Sequence, residues 1–349
     1  MRRSTSRTRP FADRPTVAII TLALLTCIAT GQPDAAGPLG DSPRGDIRVV
    51  VFGDFNGPYG SLTYPPLVAK TMSAITNVWR PDLFLSPGDV VAGQRLSLPD
   101  EVLAAMWSSF DREIGAPLRN ADIPYAVAMG NHDASSLKDR EGAYLFARDR
   151  TAAQDYWGGE SYPSNLAYLD RSNYPFDYAF VAGELFIAVI DASSATLTEE
   201  QRSWLTAVLA APQAKAAQLR FVMGHLPLVP VSQGRDRPGE YLYQAGDLQE
   251  LLAAGAVDLY ISGHQAAFYP GKLGGLELLF AGGVGARRLL AGDAPPVSTV
   301  TIIDIWYRPT NVVYTTLDLA TMEVITREQL PPEIVTSGQR LALSDRLRP

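Results

Sequence analysis

Residues 125–133 read YAVAMGNHD, a short run of strand-forming residues that ends in Gly130-Asn131-His132-Asp133. Four other runs have the same form, in that a short apolar strand leads into a glycine followed by a residue that can bind a metal. These are Gly53-Asp54, Gly88-Asp89, Gly224-His225 and Gly263-His264. Strands buried on both faces read as continuous apolar runs, and ligands of open α/β sheets gather at the carboxyl ends of the strands. We therefore expect the five turns to converge on one site.

The histidines of the chain are concentrated in these turns. The sequence contains only three in 349 residues, and they are His132, His225 and His264. Taken one at a time, an aspartate after a strand could be a turn residue, and a histidine could be structural. In order along the chain, the series is carboxylate, carboxylate, Asn-His-Asp, imidazole, imidazole. That order predicts a ligand set for a divalent metal.

Helix-like segments lie between the strands, over residues 66–79, 99–114, 198–211 and 245–254. Thr198-Glu199-Glu200-Gln201 fits a capping box at the start of the third segment. Strands that alternate with helices indicate an α/β protein. From residue 276 onward the pattern predicts strands in succession, which favours a second, partly antiparallel sheet. These strands are expected at residues 276–281, 297–307, 312–317 and 322–326.

The domain predicted from this pattern covers residues 47–330, and the polar residues 331–349 are expected to form a peripheral tail. Residues 134–176 form an insertion directly after the Asn-His-Asp turn, with little periodic structure but many aromatic side chains. Two interpretations of this aromatic insertion stay open. It is either a surface loop held by its own aromatics or a lid over the metal site.

The first 36 residues have the composition of an export signal. Five arginines precede an uncharged apolar run at residues 17–30, and small residues follow. That order is typical of a secretory signal peptide. The run is shorter than the ~20 residues of a membrane span, although an uncleaved anchor and a lipidated Cys27 are alternatives. We expect an exported protein, either periplasmic, extracellular or anchored facing outside, with residues 37–46 as a linker. Membrane contact is expected only through the N-terminal segment.

Composition restricts the kinds of metal ligand and of binding partner that we expect. Cys27 is the only cysteine, so a mature chain without it has no thiolate ligand, and oxygen and imidazole must hold any metal. The formal net charge is −7, and it becomes more negative when the basic start is removed. An acidic protein without a basic stripe is a poor candidate for nucleic-acid binding. It also needs a local positive charge, such as a metal, to attract a phosphorylated substrate.

The motifs and their order resemble those of the metallophosphoesterase superfamily, which includes calcineurin-like phosphatases and purple acid phosphatases. The resemblance covers about residues 47–290 and rests on Asp54, Asp89, Asn131-His132-Asp133, His225 and Gly263-His264. It implies an α/β four-layer sandwich, in which two central mixed β-sheets are flanked by helices. It also implies a phosphoester hydrolase, either a phosphatase or a phosphodiesterase, that attacks with metal-bound hydroxide.

The resemblance also assigns roles to these residues. The metal ligands would be Asp54, Asp89, Asn131, His225 and His264. Asp89 would bridge two ions, and mixed oxygen and imidazole ligands suit Mn, Fe or Zn. His132 would contact the phosphate and protonate the leaving oxygen. Asp133 would either orient His132 or cap its loop.

The first metal site departs from the family pattern. Asn56 stands where the commonest form has a histidine, Ala92 stands where purple acid phosphatases have a tyrosine, and Ala266 replaces a second histidine. Asp54 and Asp89 remain, together with the amide of Asn56 if it is a ligand and not a turn residue. Such an all-oxygen site suits Mg or Ca. Three outcomes stay open: a two-metal enzyme, a one-metal enzyme, or a weakly active or non-catalytic metal-binding protein that retains the fold.

A glycine-rich segment, residues 282–288, follows a strand soon after the last motif and ends in Arg287 and Arg288. An arginine there could clamp phosphate oxygens. Alternatively, both are solvated surface arginines, as most arginines are. The substrate expected from all of these features is a phosphorylated small molecule or another phosphoester.

Overall fold

The computed structural model of the chain describes residues 44–159 and 163–348. The predicted signal segment, residues 1–36, lies outside the described residues, and so does the linker as far as residue 43. Within the part that is described, no helix combines the length and the apolar character needed to cross a membrane.

The strands of the described residues are, in chain order, β1 (Ile47–Val51), β2 (Leu83–Ser86), β3 (Tyr125–Val127), β4 (Ala167–Asn173), β5 (Asp177–Ala182), β6 (Leu185–Val189), β7 (Leu219–Met223), β8 (Leu259–Ser262), β9 (Phe268–Leu273), β10 (Leu276–Ala281), β11 (Thr299–Tyr307), β12 (Thr310–Asp318), β13 (Glu333–Thr336) and β14 (Gln339–Leu343). The predicted strands before all five glycine turns are present.

The helices are α1 (Pro66–Ala74), α2 (Asp100–Phe110), α3 (Ala116–Asn120), α4 (Asn131–Ala134), α5 (Ala147–Gly158), α6 (Glu199–Leu209), α7 (Pro212–Ala216) and α8 (Ala245–Ala254). Turns of π-helix extend α1 over Ile75–Trp79 and α2 over Asp111–Gly115, and Arg327–Gln329 forms a 3₁₀ turn. The capping box at α6 is confirmed. The backbone N–H of Gln201 donates to Thr198 Oγ1 at 3.3 Å, and that of Thr198 donates to Gln201 Oε1 at 3.0 Å.

The strands form two mixed sheets. The first sheet has the order β12-β11-β1-β2-β3, with β1, β2 and β3 parallel and β11 antiparallel to β1. The second has the order β13-β14-β9-β10-β8-β7-β6-β5-β4, with β10, β8, β7 and β6 parallel at its centre. Parallel strands end at the same edge of their sheet, so the turns after β1, β2 and β3 lie together, as do those after β7 and β8.

Side chains that alternate along the strands divide the core into three clusters. In β1, Val49 and Val51 pack between the two sheets, whereas Val50 faces the helices. Helices α1, α2 and α5 cover the outer face of the first sheet, and α6 and α8 cover that of the second. The layers are therefore helix, sheet, sheet, helix, and the predicted α/β four-layer sandwich is confirmed.

The C-terminal third differs from the expectation. The strands after residue 276 do not build a sheet of their own, since β10 lies in the second sheet while β11 and β12 extend the first. Residues 322–326 make only an isolated bridge, between Leu317 and Val324, and are not a strand. The predicted peripheral tail, described as far as residue 348, is instead part of the fold, because β14 pairs with β9. Ile334 and Leu341 are fully buried there, so their apolar side chains anchor the chain end to the second sheet.

The aromatic insertion is more ordered than its sequence indicated. Helix α5 lies within it, and Tyr156 and Trp157 of α5 pack against Trp107 and Phe110 of α2. Both α5 rings are buried. Large aromatic side chains supply much buried apolar area, and here that area completes the helical layer over the first sheet.

Candidate metal centre

Side chains from the predicted turns converge where the carboxyl ends of the parallel strands of the two sheets meet. Asp89, His225 and His264 place one ligand atom each within 4.8 Å of one another, and all three are buried. Asp89 follows β2 of the first sheet, while the histidines follow β7 and β8 of the second. The cluster is therefore assembled by long-range folding, as the turns predicted.

Three backbone positions at this cluster are left-handed. The φ angles of Asp54, Asp89 and His264 are 49°, 55° and 65°. Positive φ is uncommon for residues other than glycine. Such strained positions concentrate at functional sites, where surrounding contacts hold them in place.

Asn131 completes the cluster with an amide oxygen. Its Oδ1 lies 3.0 Å from His225 Nε2 and 2.8 Å from His264 Nδ1. The other end of the amide faces away, since Nδ2 donates to Gln94 Oε1 at 2.6 Å. A carboxylate, an amide oxygen and two imidazoles thus face one point, which is a donor set suited to Mn, Fe or Zn.

The tautomer of His225 is fixed by a carbonyl. Its Nδ1 lies 2.7 Å from the Pro87 oxygen, and a carbonyl oxygen only accepts, so Nδ1 carries a proton. Nε2 is left facing Asp89 Oδ2 at 3.4 Å. A backbone carbonyl behind an imidazole is the usual device that orients a metal-binding histidine.

His264 is oriented by a carboxylate that the sequence did not identify. Its Nε2 lies 2.9 Å from Glu240 Oε2. Arg235 Nη1 lies 2.7 Å from the same ring nitrogen and 2.6 Å from Glu240 Oε2. A guanidinium nitrogen only donates and an ionised carboxylate only accepts, so Nε2 meets a donor on one side and an acceptor on the other. These two contacts hold the ring with Nδ1 towards the cluster.

Burial and neighbouring charges shift the pKa values of the three ligands by different amounts and in different directions. Burial acts to raise the pKa of Asp89, but the neighbouring imidazoles, above all His225, hold it below its usual range. Burial acts to lower the pKa of His225, but Asp89 raises it to about 9. Burial lowers the pKa of His264 to about 4. In the metal-free protein, His225 therefore carries the proton, and a metal must displace that proton to bind.

Asp54 brings a carboxylate oxygen without a protein partner. Its Oδ1 accepts the backbone N–H of His264 at 2.8 Å, whereas Oδ2 is buried with no hydrogen-bond partner among the residues that the structure describes. Burial raises the pKa of Asp54 to about 7. An unpaired buried carboxylate is costly unless a cation or a donor meets it. This oxygen therefore fits a metal ligand.

Two of the motif glycines are explained by close approach. A Cβ on Gly130 would collide with the carboxylate of Asp89, and a Cβ on Gly263 would collide with Asp54 Oδ2. Any larger residue would push a carboxylate out of the cluster. The glycines before Asn131 and His264 thus follow from the packing of the site.

Asp133 holds the turn that carries Asp89. Its oxygens accept the backbone N–H groups of Asp89, Val90, Val91 and Gly130, each at 2.8 Å. These contacts describe a loop-capping role. The alternative, in which Asp133 orients the ring of His132, has no matching contact within residues 44–159 and 163–348, where His132 Nδ1 is buried without a hydrogen-bond partner.

His132 lies beside the cluster and not in it. Its backbone N–H donates to Asp89 Oδ1 at 2.9 Å, and its ring is tilted against Tyr59 with the ring centroids 5.0 Å apart. His132, Asn131 and His264 line a cavity of about 480 Å³. His132 is thus a wall residue of this cavity.

Positive charge surrounds this cavity. Arg235, Arg237 and Arg287 line it together with one carboxylate, Glu240, which pairs with Arg235 and Arg237, whereas Arg288 is not among its lining residues. Of the two arginines predicted from sequence, only Arg287 therefore lines the cavity. Ser135 and Leu137 bring the start of the aromatic insertion to the cavity as well, while α5 packs in the core.

The first metal site keeps little besides carboxylates. Ala92 and Ala266 carry no donor atom in their side chains, and the backbone N–H of Asn56 donates to the Asp89 carbonyl at 3.1 Å. The residues present therefore fit one ion on the imidazole side. For a second ion they offer oxygen from Asp54 and Asp89.

Gln94, Arg235 and Glu240 are site residues that the sequence analysis missed. Each lies in a segment between regular elements and lines the same cavity. None belongs to a local motif, so only their contacts after folding identify them.

Comparison with known proteins identifies relatives of this chain. A family model described as calcineurin-like phosphoesterase matches residues 47–268. A purple acid phosphatase from yellow lupin seeds is similar in structure, with 18% identity and a TM-score of 0.55 over 80% of this chain and 52% of that one. The chain therefore spans about half the length of the lupin enzyme.

A second similar structure is GAP50, described as the anchor in the inner membrane complex of Plasmodium. It has 18% identity and a TM-score of 0.50 over 86% of this chain and 91% of that one. No curated protein matches the chain in sequence. At these identities the two structures establish a shared fold only.

Proposed function

The chain belongs to the calcineurin-like phosphoesterase family, and on that basis we propose that it is a phosphatase or phosphodiesterase that uses a divalent metal. The observation that supports this most is the convergence of Asp89, Asn131, His225 and His264 beneath the cavity that His132 lines. When bound, a divalent cation supplies charge that neutralises the phosphate and activates water for attack. Mn, Fe or Zn suits the imidazole side.

His132 is the general acid in this proposal. It is the only histidine outside the ligand cluster, since the other two of the three face Asn131. Its position on the cavity wall allows it to donate a proton to the leaving oxygen or a hydrogen bond to phosphate. General acid help contributes about 10²–10⁴-fold in rate.

Arg235 and Arg287 would draw an anionic substrate into an otherwise acidic protein. Both line the cavity, and the formal net charge of the chain is −7. The cavity wall carries three arginines against one carboxylate, Glu240, and such an excess of one sign in a cleft raises the local concentration of ions of the opposite sign. The substrate class we propose is a phosphorylated small molecule, with monoester and diester left to experiment.

A second candidate function is a metal-binding protein with little or no turnover. Ala92 and Ala266 favour it, because they remove donor atoms from the first metal site. GAP50, with the same fold, is described as an anchor. Under this alternative, the imidazole side would still bind one ion while no phosphoester is hydrolysed.

The test is a metal add-back assay. The protein is stripped with a chelator and assayed on aryl phosphate monoesters and diesters after addition of Mn, Fe, Zn, Mg or Ca. We expect turnover with at least one ion, and none with His225→Ala. One bound metal without turnover under any ion would instead establish the binding protein.

We also propose export, on the composition of residues 1–36. Fractionation of cells that express the full chain, next to a chain lacking residues 1–36, tests it. Equal retention of both chains in the cytoplasm would refute export.

A further inference from the structure

We propose that Gln94 is a positioning residue for the metal centre: it fixes the amide of Asn131 so that the oxygen, and not the nitrogen, faces the ion. Helix α5 of the aromatic insertion holds Gln94 in place through Asp149. This inference rests on the proposed metal site. It also gives the aromatic insertion a role, because α5 would support the ligand Asn131 on the side away from the ion.

Asn131 needs such a partner because its amide has two unlike ends. Oδ1 is an acceptor and a metal ligand, whereas Nδ2 carries two donors and cannot bind a cation. Rotation of the amide by half a turn would bring Nδ2 to His225 Nε2 and His264 Nδ1, which now lie 3.0 and 2.8 Å from Oδ1. Those ring nitrogens would then be occupied by N–H donors, and the ion would lose three ligands together.

Gln94 supplies the contact that separates the two orientations. Its Oε1 accepts from Asn131 Nδ2 at 2.6 Å. If Asn131 alone rotated, this carbonyl would face Oδ1 and two acceptors would oppose each other, so the rotated state requires the Gln94 amide to turn as well. The contact therefore favours the orientation that leaves Oδ1 on the metal side.

The backbone of Gln94 is held in an uncommon conformation. Its φ is 64°, in the left-handed region that most side chains avoid. The backbone N–H of Gln94 donates to Asp149 Oδ1 at 2.8 Å, and that of Gly93 donates to the His132 carbonyl at 3.0 Å. Residues 93–94 are thus clamped between α5 on one side and the Asn-His-Asp turn on the other.

The contact between α5 and residues 93–94 is close-packed. Asp149 is buried, and a Cβ on Gly93 would collide with its Oδ1. Arg150, the next residue of α5, donates to the Ala134 carbonyl at 2.8 Å. Helix α5 therefore contacts the Asn-His-Asp turn by two routes. Arg150 contacts it directly, and Asp149 contacts Gln94, which in turn contacts Asn131.

The experiment measures Co²⁺ and Mn²⁺ affinity, together with the visible spectrum of the Co²⁺ protein, for three variants at residue 94. Gln94→Met removes the acceptor at similar volume, and Gln94→Glu keeps an acceptor. Gln94→Gly removes the acceptor while suiting a positive φ, so it stays informative if the Met variant fails to fold. Gln213→Met, at an exposed position on α7, is the matched control.

We expect Gln94→Met and Gln94→Gly to bind metal about 10–100-fold more weakly, the range typical for loss of a partner behind a ligand. The Co²⁺ spectrum should change with them. Gln94→Glu and the control should stay near the wild type. Wild-type affinity in both acceptor-free variants would overturn the inference.

A double variant distinguishes orientation of the Asn131 amide from a merely structural role of Gln94. In an Asn131→Asp background, either carboxylate oxygen can face the metal, so Gln94→Met should then change the affinity less than threefold. An equal loss in both backgrounds would also overturn the inference. Wild-type protein that bound no divalent ion would instead refute the proposed function, on which this inference depends.

Discussion

Glu240 Oε2 lies 2.9 Å from His264 Nε2, on the opposite side of the imidazole from the ligand cluster. The hydrogen bond from His264 holds the pKa of Glu240 below its usual range, with the help of Arg235. A charged carboxylate behind an imidazole fixes the ring and its tautomer and makes the free nitrogen a better ligand. His264 therefore enters the cluster already oriented through Nδ1.

Removal of that carboxylate should weaken metal binding. We expect Glu240→Ala to lower the affinity for Zn²⁺ or Mn²⁺ about 10–100-fold, measured by competition with a chromophoric chelator. Glu250→Ala, at an exposed position on α8, is the control and should bind as the wild type does. Equal affinity of the two variants would show that Glu240 does not orient a ligand.

A variant of His132 should lose activity without losing bound metal. His132→Ala is expected to lower kcat about 10²–10⁴-fold while the metal content per chain stays that of the wild type, because the ring lies outside the cluster. Elemental analysis and steady-state rates on the same sample check this. Loss of metal in the variant would place His132 among the ligands and contradict the assignment.

The aromatic insertion should contribute to stability through Trp157. This side chain is buried against Trp107 and Phe110, so Trp157→Ala should cost about 3–5 kcal/mol of the free energy of unfolding. Chemical denaturation measures the change, with Val78→Ala at an exposed site as the control. A cost under about 1 kcal/mol would mean that α5 is a detachable lid.

The first metal site can be probed by restoring a histidine. Ala266→His adds the imidazole of the family pattern, and the left-handed φ of 46° at residue 266 is one that histidine tolerates better than most residues. We expect the number of bound ions per chain to rise from one towards two. An unchanged number would indicate a site rebuilt around oxygen ligands.

Local sequence patterns predicted the parts of the molecule that are locally determined. The capping box at Thr198 and the strands before the glycine turns depend on neighbours in sequence, and both are present. The convergence of Asp89, His225 and His264 also followed, because parallel strands bring their carboxyl ends to one edge.

Long-range contacts account for what the sequence analysis missed. Glu240 and Gln94 gain their roles only when a loop folds back on His264 or Asn131. The aromatic residues of the insertion lacked a clear period because α5 packs through adjacent rings, Tyr156 and Trp157. Periodicity likewise cannot assign a strand to one of two sheets, which is why β11 and β12 were placed in the wrong one.

The most direct test of the account is a single titration that follows bound metal and turnover together. Chelator-stripped protein is titrated with Mn²⁺ or Zn²⁺ while bound ions per chain and hydrolysis of an aryl phosphate are both measured. We predict that activity rises with the first equivalent bound and that His225→Ala abolishes both signals. Stoichiometric binding without turnover for any ion, or turnover that does not depend on metal, would contradict it.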